Sequence, residues 1–82
     1  MPRFHFDLDD GSGVLQDPDG HHYDSIDNAG NGAARALADL VKSALDRTPC
    51  PDMTINVRDE GGSSVLRARL TLAVDRVTWI SV

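Results

Sequence analysis

The chain holds a single cysteine, Cys50, so no intramolecular disulfide can staple it. Aromatic residues are nearly as scarce: Phe4, Phe6, Tyr23 and Trp79 make up 5% of the sequence. They suffice for one interface between two packed layers and leave little to wall a deep ligand pocket, which usually needs about 300 Å³ or more. No stretch approaches the roughly 20 consecutive apolar residues of a membrane helix. No apolar segment follows Met1 either, and the chain alternates polar and apolar from residue 3. The expectation is therefore a chain without leader or anchor, held in a reducing cytoplasm.

Positive charge is also short. Eight Lys and Arg face 13 Asp and Glu, for a formal net charge of −5. Nucleic-acid binding draws much of its affinity from phosphate neutralisation, so this balance argues against a nucleic-acid partner and reads as ordinary solubility. At 82 residues there is room for one domain, spanning 1–82. A chain of that size buries only about 60% of the surface its unfolded form exposes, so a thin core is expected.

What is present is a clear sequence of elements. Phe4, Phe6 and Leu8 alternate with Arg3, His5, Asp7 and Asp9, the period-two pattern of a strand with one wet face. Asp9-Asp10-Gly11-Ser12-Gly13 is a turn, Val14-Leu15-Gln16 offers a short return strand, and Asp17-Pro18-Asp19-Gly20 closes it. Asp24 or Ser25 then caps a helix whose small and apolar positions fall at 26, 29, 33, 37, 40, 41 and 44, one stripe at helical spacing. Gly30 and Gly32 weaken its first turns. Either the helix approaches an aromatic on the sheet there or its start is frayed. Thr48-Pro49-Cys50-Pro51 ends it.

Met53, Ile55 and Val57 alternate with polar residues to give a further strand, and Asp59-Glu60-Gly61-Gly62 is a hairpin turn. Pairing outward from that turn sets Val57 opposite Ser64, Ile55 opposite Leu66 and Met53 opposite Ala68. Val77 to Val82 is β-branched and offers a final strand carrying Trp79. The expected fold is α+β and two-layered, one helix on a mostly antiparallel sheet in the order β-β-α-β-β, with the last segment as a fifth strand.

None of the chemistry-bearing residues groups into a known catalytic or metal pattern. His5, His21 and His22 lack the ligand spacing of a zinc site. In Asp17-Pro18-Asp19-Gly20 the glycine stands fourth rather than sixth, which departs from a calcium loop. Cys50 has no histidine near it in sequence to activate it. The glycines of both turns lie in hairpins and not between a strand and a helix, where a phosphate-cradling loop sits. The sequence thus predicts no catalytic residues, no cofactor and no metal. It predicts instead two candidate interaction surfaces. Arg58, Arg67 and Arg69 share the outer face of the last hairpin, either as a solvated face or as a dock for an anionic or protein partner. Ala34, Ala38 and Leu45 lie beside the buried helix stripe, as the margin of the core or a seat for another helix. Trp79 and the apolar tail add a third element, and self-association as a two-fold dimer is the expected way of covering it.

These residues also carry a resemblance. Met1-Pro2-Arg3-Phe4-His5-Phe6, Asp10-Gly11, Asp17-Pro18-Asp19-Gly20, the Ala-rich 29–44 segment and Val57-Arg58-Asp59-Glu60-Gly61 follow one another in an order similar to a family of small alphaproteobacterial proteins described as a domain of unknown function. The match runs to about residue 72. It departs at Gly30 and Gly32, where that family has good helix formers, and after Leu72, where a β-like tail replaces a Pro-Phe-Ser-type ending. The resemblance implies no activity and no catalytic residue. A fainter one runs to antitoxins with a partial ribonuclease-H-like fold. The function expected from all this is a non-enzymatic protein-interaction or regulatory module. The alternatives are a small-ligand or metal-binding module and an antitoxin-like partner-neutralising protein.

Overall fold

Six elements make up the computed structural model, which describes residues 2–74 and residue 77. They are β1 (Arg3–Asp9), β2 (Val14–Leu15), β3 (His21–His22), α1 (Ile26–Ala44), β4 (Asp52–Arg58) and β5 (Ser64–Thr71). All strand pairs are antiparallel. The sheet runs β2-β1-β4-β5, with β3 also paired to β1. The architecture is the expected helix on an antiparallel sheet, with β3 as an additional strand before the helix.

That extra strand follows from how the chain returns along β1. Leu15 pairs with Leu8 and Val14 with Asp9, whereas His21 pairs with Phe4 and His22 with Arg3. Between the two ladders the Asp17–Gly20 turn loops out two residues and the same edge resumes. Gly20 makes the return possible. Its φ is +73°, and a Cβ there would lie 2.9 Å from the Phe4 carbonyl oxygen and 2.8 Å from Arg3 Cγ.

Ser25 caps α1, its hydroxyl accepting from the Asn28 N–H at 3.1 Å. Asp27 in the first turn and Lys42 in the last complement the helix dipole. The helix stops at Ala44, ahead of the prolines, with Arg47 and Thr48 N–H groups both donating to the Ala44 carbonyl. Ala29, Ala33, Leu37, Val41 and Ala44 are buried against Phe4, Met53, Ile55 and Val57. Of the expected stripe, Leu40 is half-buried and Ile26 is 46% exposed.

The helix packs on β4 and β5. Near its start Gly30 lies against Leu66 of β5. Its end, at Ala44 and Arg47, shares a surface depression with Asp10, Gly11 and Ser12 of the β1–β2 turn. It therefore crosses the sheet diagonally. Two close approaches, one to the sheet and one to the segment before the helix, account for the early glycines. A Cβ on Gly30 would stand 2.7 Å from Leu66 Cδ2, and one on Gly32 would run into the Tyr23 hydroxyl. The close neighbour of Gly30 is thus an aliphatic side chain rather than an aromatic, and the glycines sit within a capped helix rather than a frayed one.

The last hairpin corrects the expected register. Val57 pairs with Leu66, Ile55 with Ala68 and Met53 with Leu70. A bulge between Val57 and Arg58 leaves Arg58 opposite Ser64. Asp59 causes the shift by widening the turn. Its N–H donates to the Ser63 carbonyl at 2.9 Å, and its Oδ1 accepts from the N–H groups of Gly61 at 2.9 Å and Ser63 at 3.0 Å. Because the displacement is even, the side chains from Leu66 onward keep their faces, while the bulge turns Ser64 to the outer face beside Asn56 and packs Val65 against the core. The expected final strand and Trp79 lie outside the described residues, apart from Val77, which is 73% exposed and in no strand.

Candidate interaction surfaces

The outer face of the sheet is organised around an acidic pair. Asp7, the buried charged residue at 6% exposure, accepts from Arg58 Nε at 2.5 Å and Nη2 at 3.1 Å, a diagonal contact between β1 and β4. Its Oδ1 also accepts the Asp17 N–H at 3.0 Å. The hydrogen bonds from Arg58 hold the Asp7 carboxyl below the usual carboxylate range against the opposing effect of burial, and Asp7 in turn raises Arg58.

Asp17 bridges the gap between β2 and β3. Its Oδ2 accepts the Phe6 N–H at 3.1 Å, standing in for a ladder partner the looped-out chain cannot supply. Its Oδ1 accepts from Asp19 at 3.2 Å and Gly20 at 3.1 Å. Its carbonyl accepts from His5 Nδ1 at 2.9 Å. Burial pushes the Asp17 carboxyl up, and the backbone donors from Gly20, Phe6 and Asp19 overcome it, so the net displacement is downward.

Arg58 is therefore a structural cation, with 27% of its side chain exposed. Arg69 is engaged too, forked onto Asp52 at 3.1 and 2.8 Å, a pair that lowers Asp52 and raises Arg69. Of the three arginines expected on this face, only the exposed Arg67 makes no hydrogen bond or ion pair among the described residues. It lines a shallow polar depression of about 400 Å³ with Asp7, Asp9, Val14, Thr54, Asn56 and Arg69. The structure places the three arginines on one face and leaves one of them uncommitted.

On the opposite face the diagonal helix leaves apolar surface on both flanks. Toward β1 and β2 a groove of about 370 Å³ is lined by Phe6, Leu8, Leu15, His21, Ala36, Leu40 and Ile55, among others. Leu15 is 71% exposed. Tyr23 stacks on Phe6, with ring centroids 5.7 Å apart, and His21 tilts against the same ring at 6.2 Å. Since Ala36 and Leu40 face this groove, helical phase turns Ala34, Ala38 and Leu45 to the other flank, toward β5. Ala34 and Ala38 are exposed there, Leu45 is 44% exposed, and Leu70 on β5 is 38% exposed. The groove is the feature that sequence reasoning missed. Its signal was the adjacent pair Val14-Leu15, since in a strand two neighbouring apolar residues cannot both face one core.

Among the described residues no group of three or more His, Cys, Asp or Glu side chains is arranged to hold a metal ion. None of the helices among them is long and apolar enough to cross a membrane. Such a fold defines a small two-layer α+β protein, one helix on an antiparallel sheet, with apolar surface beside the helix. More particularly, the chain belongs to the family described as Domain of unknown function (DUF6894), which matches residues 3–71. No curated protein and no solved structure matches it.

Proposed function

We propose that this chain is a non-enzymatic protein-interaction or regulatory module of the bacterial cytoplasm. The observation that carries this reading is the apolar surface left on both sides of one helix, with Leu15 at 71% and Leu70 at 38% exposure. Apolar side chains gathered beside an exposed sheet edge favour a protein partner over a small polar ligand. A second support is the use of the ionisable groups. The carboxylates with lowered proton affinity are committed to Arg58, to backbone turns, to Ser12 or to Arg69, which are structural roles.

Two measurements test the reading together. Melting curves of the pure protein against divalent metals, nucleotides and small anions should show no stabilisation beyond a degree or two, whereas a ligand-binding module gains stability by mass action. Partner capture from the native cell should be lost in Leu15→Glu or in Leu70→Glu, both exposed positions whose replacement leaves the core intact. A shift of several degrees with one compound, or capture indifferent to both substitutions, overturns the proposal and favours the ligand-binding alternative or a partner held elsewhere.

A further inference from the structure

Resting on the interaction-module reading, we infer that a second copy of this chain is the partner of the β5 edge, joined antiparallel across a two-fold axis at Leu70. β5 is eight residues long, pairs with β4 on one side, and among the described residues ends the strand order on the other. It contains no proline, and its one irregularity lies at its first residues, opposite Val57 and Arg58, so what guards this edge is the charge of Arg67 and Arg69, which a partner strand must keep apart.

The direction of its free groups can be read from the strand end. The Leu72 N–H donates to the Pro51 carbonyl at 3.0 Å, so the main-chain groups of Leu72, Leu70 and Ala68 face β4. Alternation then turns those of Arg67, Arg69, Thr71 and Ala73 to the open edge.

A two-fold axis permits only a few registers, and charge together with the extent of the described segment selects among them. Centring on Thr71 keeps the arginines apart but takes the partner of Arg67 from position 75, past that segment. Centring on Ala68 sets Arg67 opposite Arg69 of the other copy, and centring on either arginine sets it opposite itself; like charges directly opposed are destabilising. Centring on Leu66 separates the arginines but leaves Leu70 and Val74 beyond the paired region. Centring on Leu70 places Arg69 opposite Thr71 and Arg67 opposite Ala73. The outward main-chain groups then form about eight inter-chain hydrogen bonds.

The same register accounts for the exposed apolar side chains. On the helix side Leu70 meets its own copy, Leu72 meets Ala68, and Val74, 72% exposed, meets Leu66. Leu66 lies under the first half of α1, where Gly30 abuts it and the β5-facing flank carries Ala34 and Ala38. Those two small side chains leave room for Val74 of the other copy. Leu45, 44% exposed, lies on the same β5-facing flank of the helix as Ala34 and Ala38.

Light scattering of the full chain at micromolar concentration should give about twice its 8.9 kDa mass. Arg67→Pro removes an outward N–H without touching the β4 ladder and should weaken the dimer at least tenfold. Leu70→Glu does the same should the proline variant fail to fold, as judged by circular dichroism. Register is read in a Cys50→Ser background. There Leu70→Cys should cross-link to itself under mild oxidation, because a non-hydrogen-bonded pair brings its Cα atoms within disulfide reach. Ala68→Cys, which faces Leu72 instead, should not. A monomer at 100 μM, or a dimer that cross-links through Ala68→Cys and not Leu70→Cys, overturns the inference. A monomer whose partner capture still depends on Leu15 leaves the interaction-module reading standing, so the two failures are distinguishable.

Discussion

Replacing Asp7 by alanine is the most informative single perturbation of this fold. The substitution deletes the acceptor of two Arg58 hydrogen bonds and of the Asp17 N–H. Removing one partner of a fully buried ion pair costs about 3–5 kcal/mol. Arg58 keeps 27% of its side chain exposed and recovers part of its hydration. The Asp17 N–H, left without its acceptor, adds about 1–2 kcal/mol. A net loss of about 2–4 kcal/mol follows, against a total of roughly 4–12 kcal/mol for a domain of this size. At about 4–8 °C per kcal/mol, the melting temperature should fall by roughly 8–32 °C.

The pH dependence gives an independent check on the cause. The Asp7 carboxyl is lowered from its ordinary value of 3.8 in the folded chain. A depressed carboxylate contributes stability that is fully present above its unfolded pKa and is lost as pH falls through the folded one. Urea unfolding of the parent and of Asp7→Ala should therefore show a constant gap between pH 5 and 8, narrowing below about pH 4. Arg58→Met should be destabilising on its own, and the double variant less so than the two single changes added together. A gap below about 0.5 kcal/mol at pH 7, or one that persists undiminished on acidification, would refute the ion pair as the source.

Four further outcomes follow from the fold. Gly20→Ala should cost about 2 kcal/mol or more in chemical unfolding, since it forces a side chain at positive φ against the Phe4 carbonyl. Ser25→Ala should cost about 1 kcal/mol through loss of the helix cap, and Ser25→Asp should restore most of it. Gly30→Ala meets only the movable end of Leu66. Its gain of about 1 kcal/mol in helix propensity should offset most of the strain, leaving the melting temperature within a few degrees of the parent. Gly32→Ala collides with the Tyr23 hydroxyl and should displace the ring from Phe6, a change read in the aromatic proton shifts of Phe6.

Elements whose signal is local were legible in the chain itself. The alternation of Phe4, Phe6 and Leu8, and of Met53, Ile55 and Val57, defined two strands and their core face, because side-chain direction in a strand depends only on parity. Ser25 and the spacing of Ala29, Ala33, Leu37 and Val41 defined the helix in the same way. What the structure alone decided involves partners distant along the chain. Parity assigned Asp7 to a wet face, yet it is buried, because folding brings Arg58 to it from 51 residues away. Asp17 reads as an ordinary turn residue until its carboxylate is seen replacing a missing strand at Phe6. The two-residue displacement in the last hairpin came from Asp59 widening the turn, a change parity cannot register because both alignments put Leu66, Ala68 and Leu70 on one face and differ only at Ser64 and Val65, where the bulge falls. The diagonal course of the helix, and with it the surface exposed on each flank, depends on Leu66 meeting Gly30. Such contacts are selected by shape and burial in three dimensions, and no periodicity in one dimension encodes them.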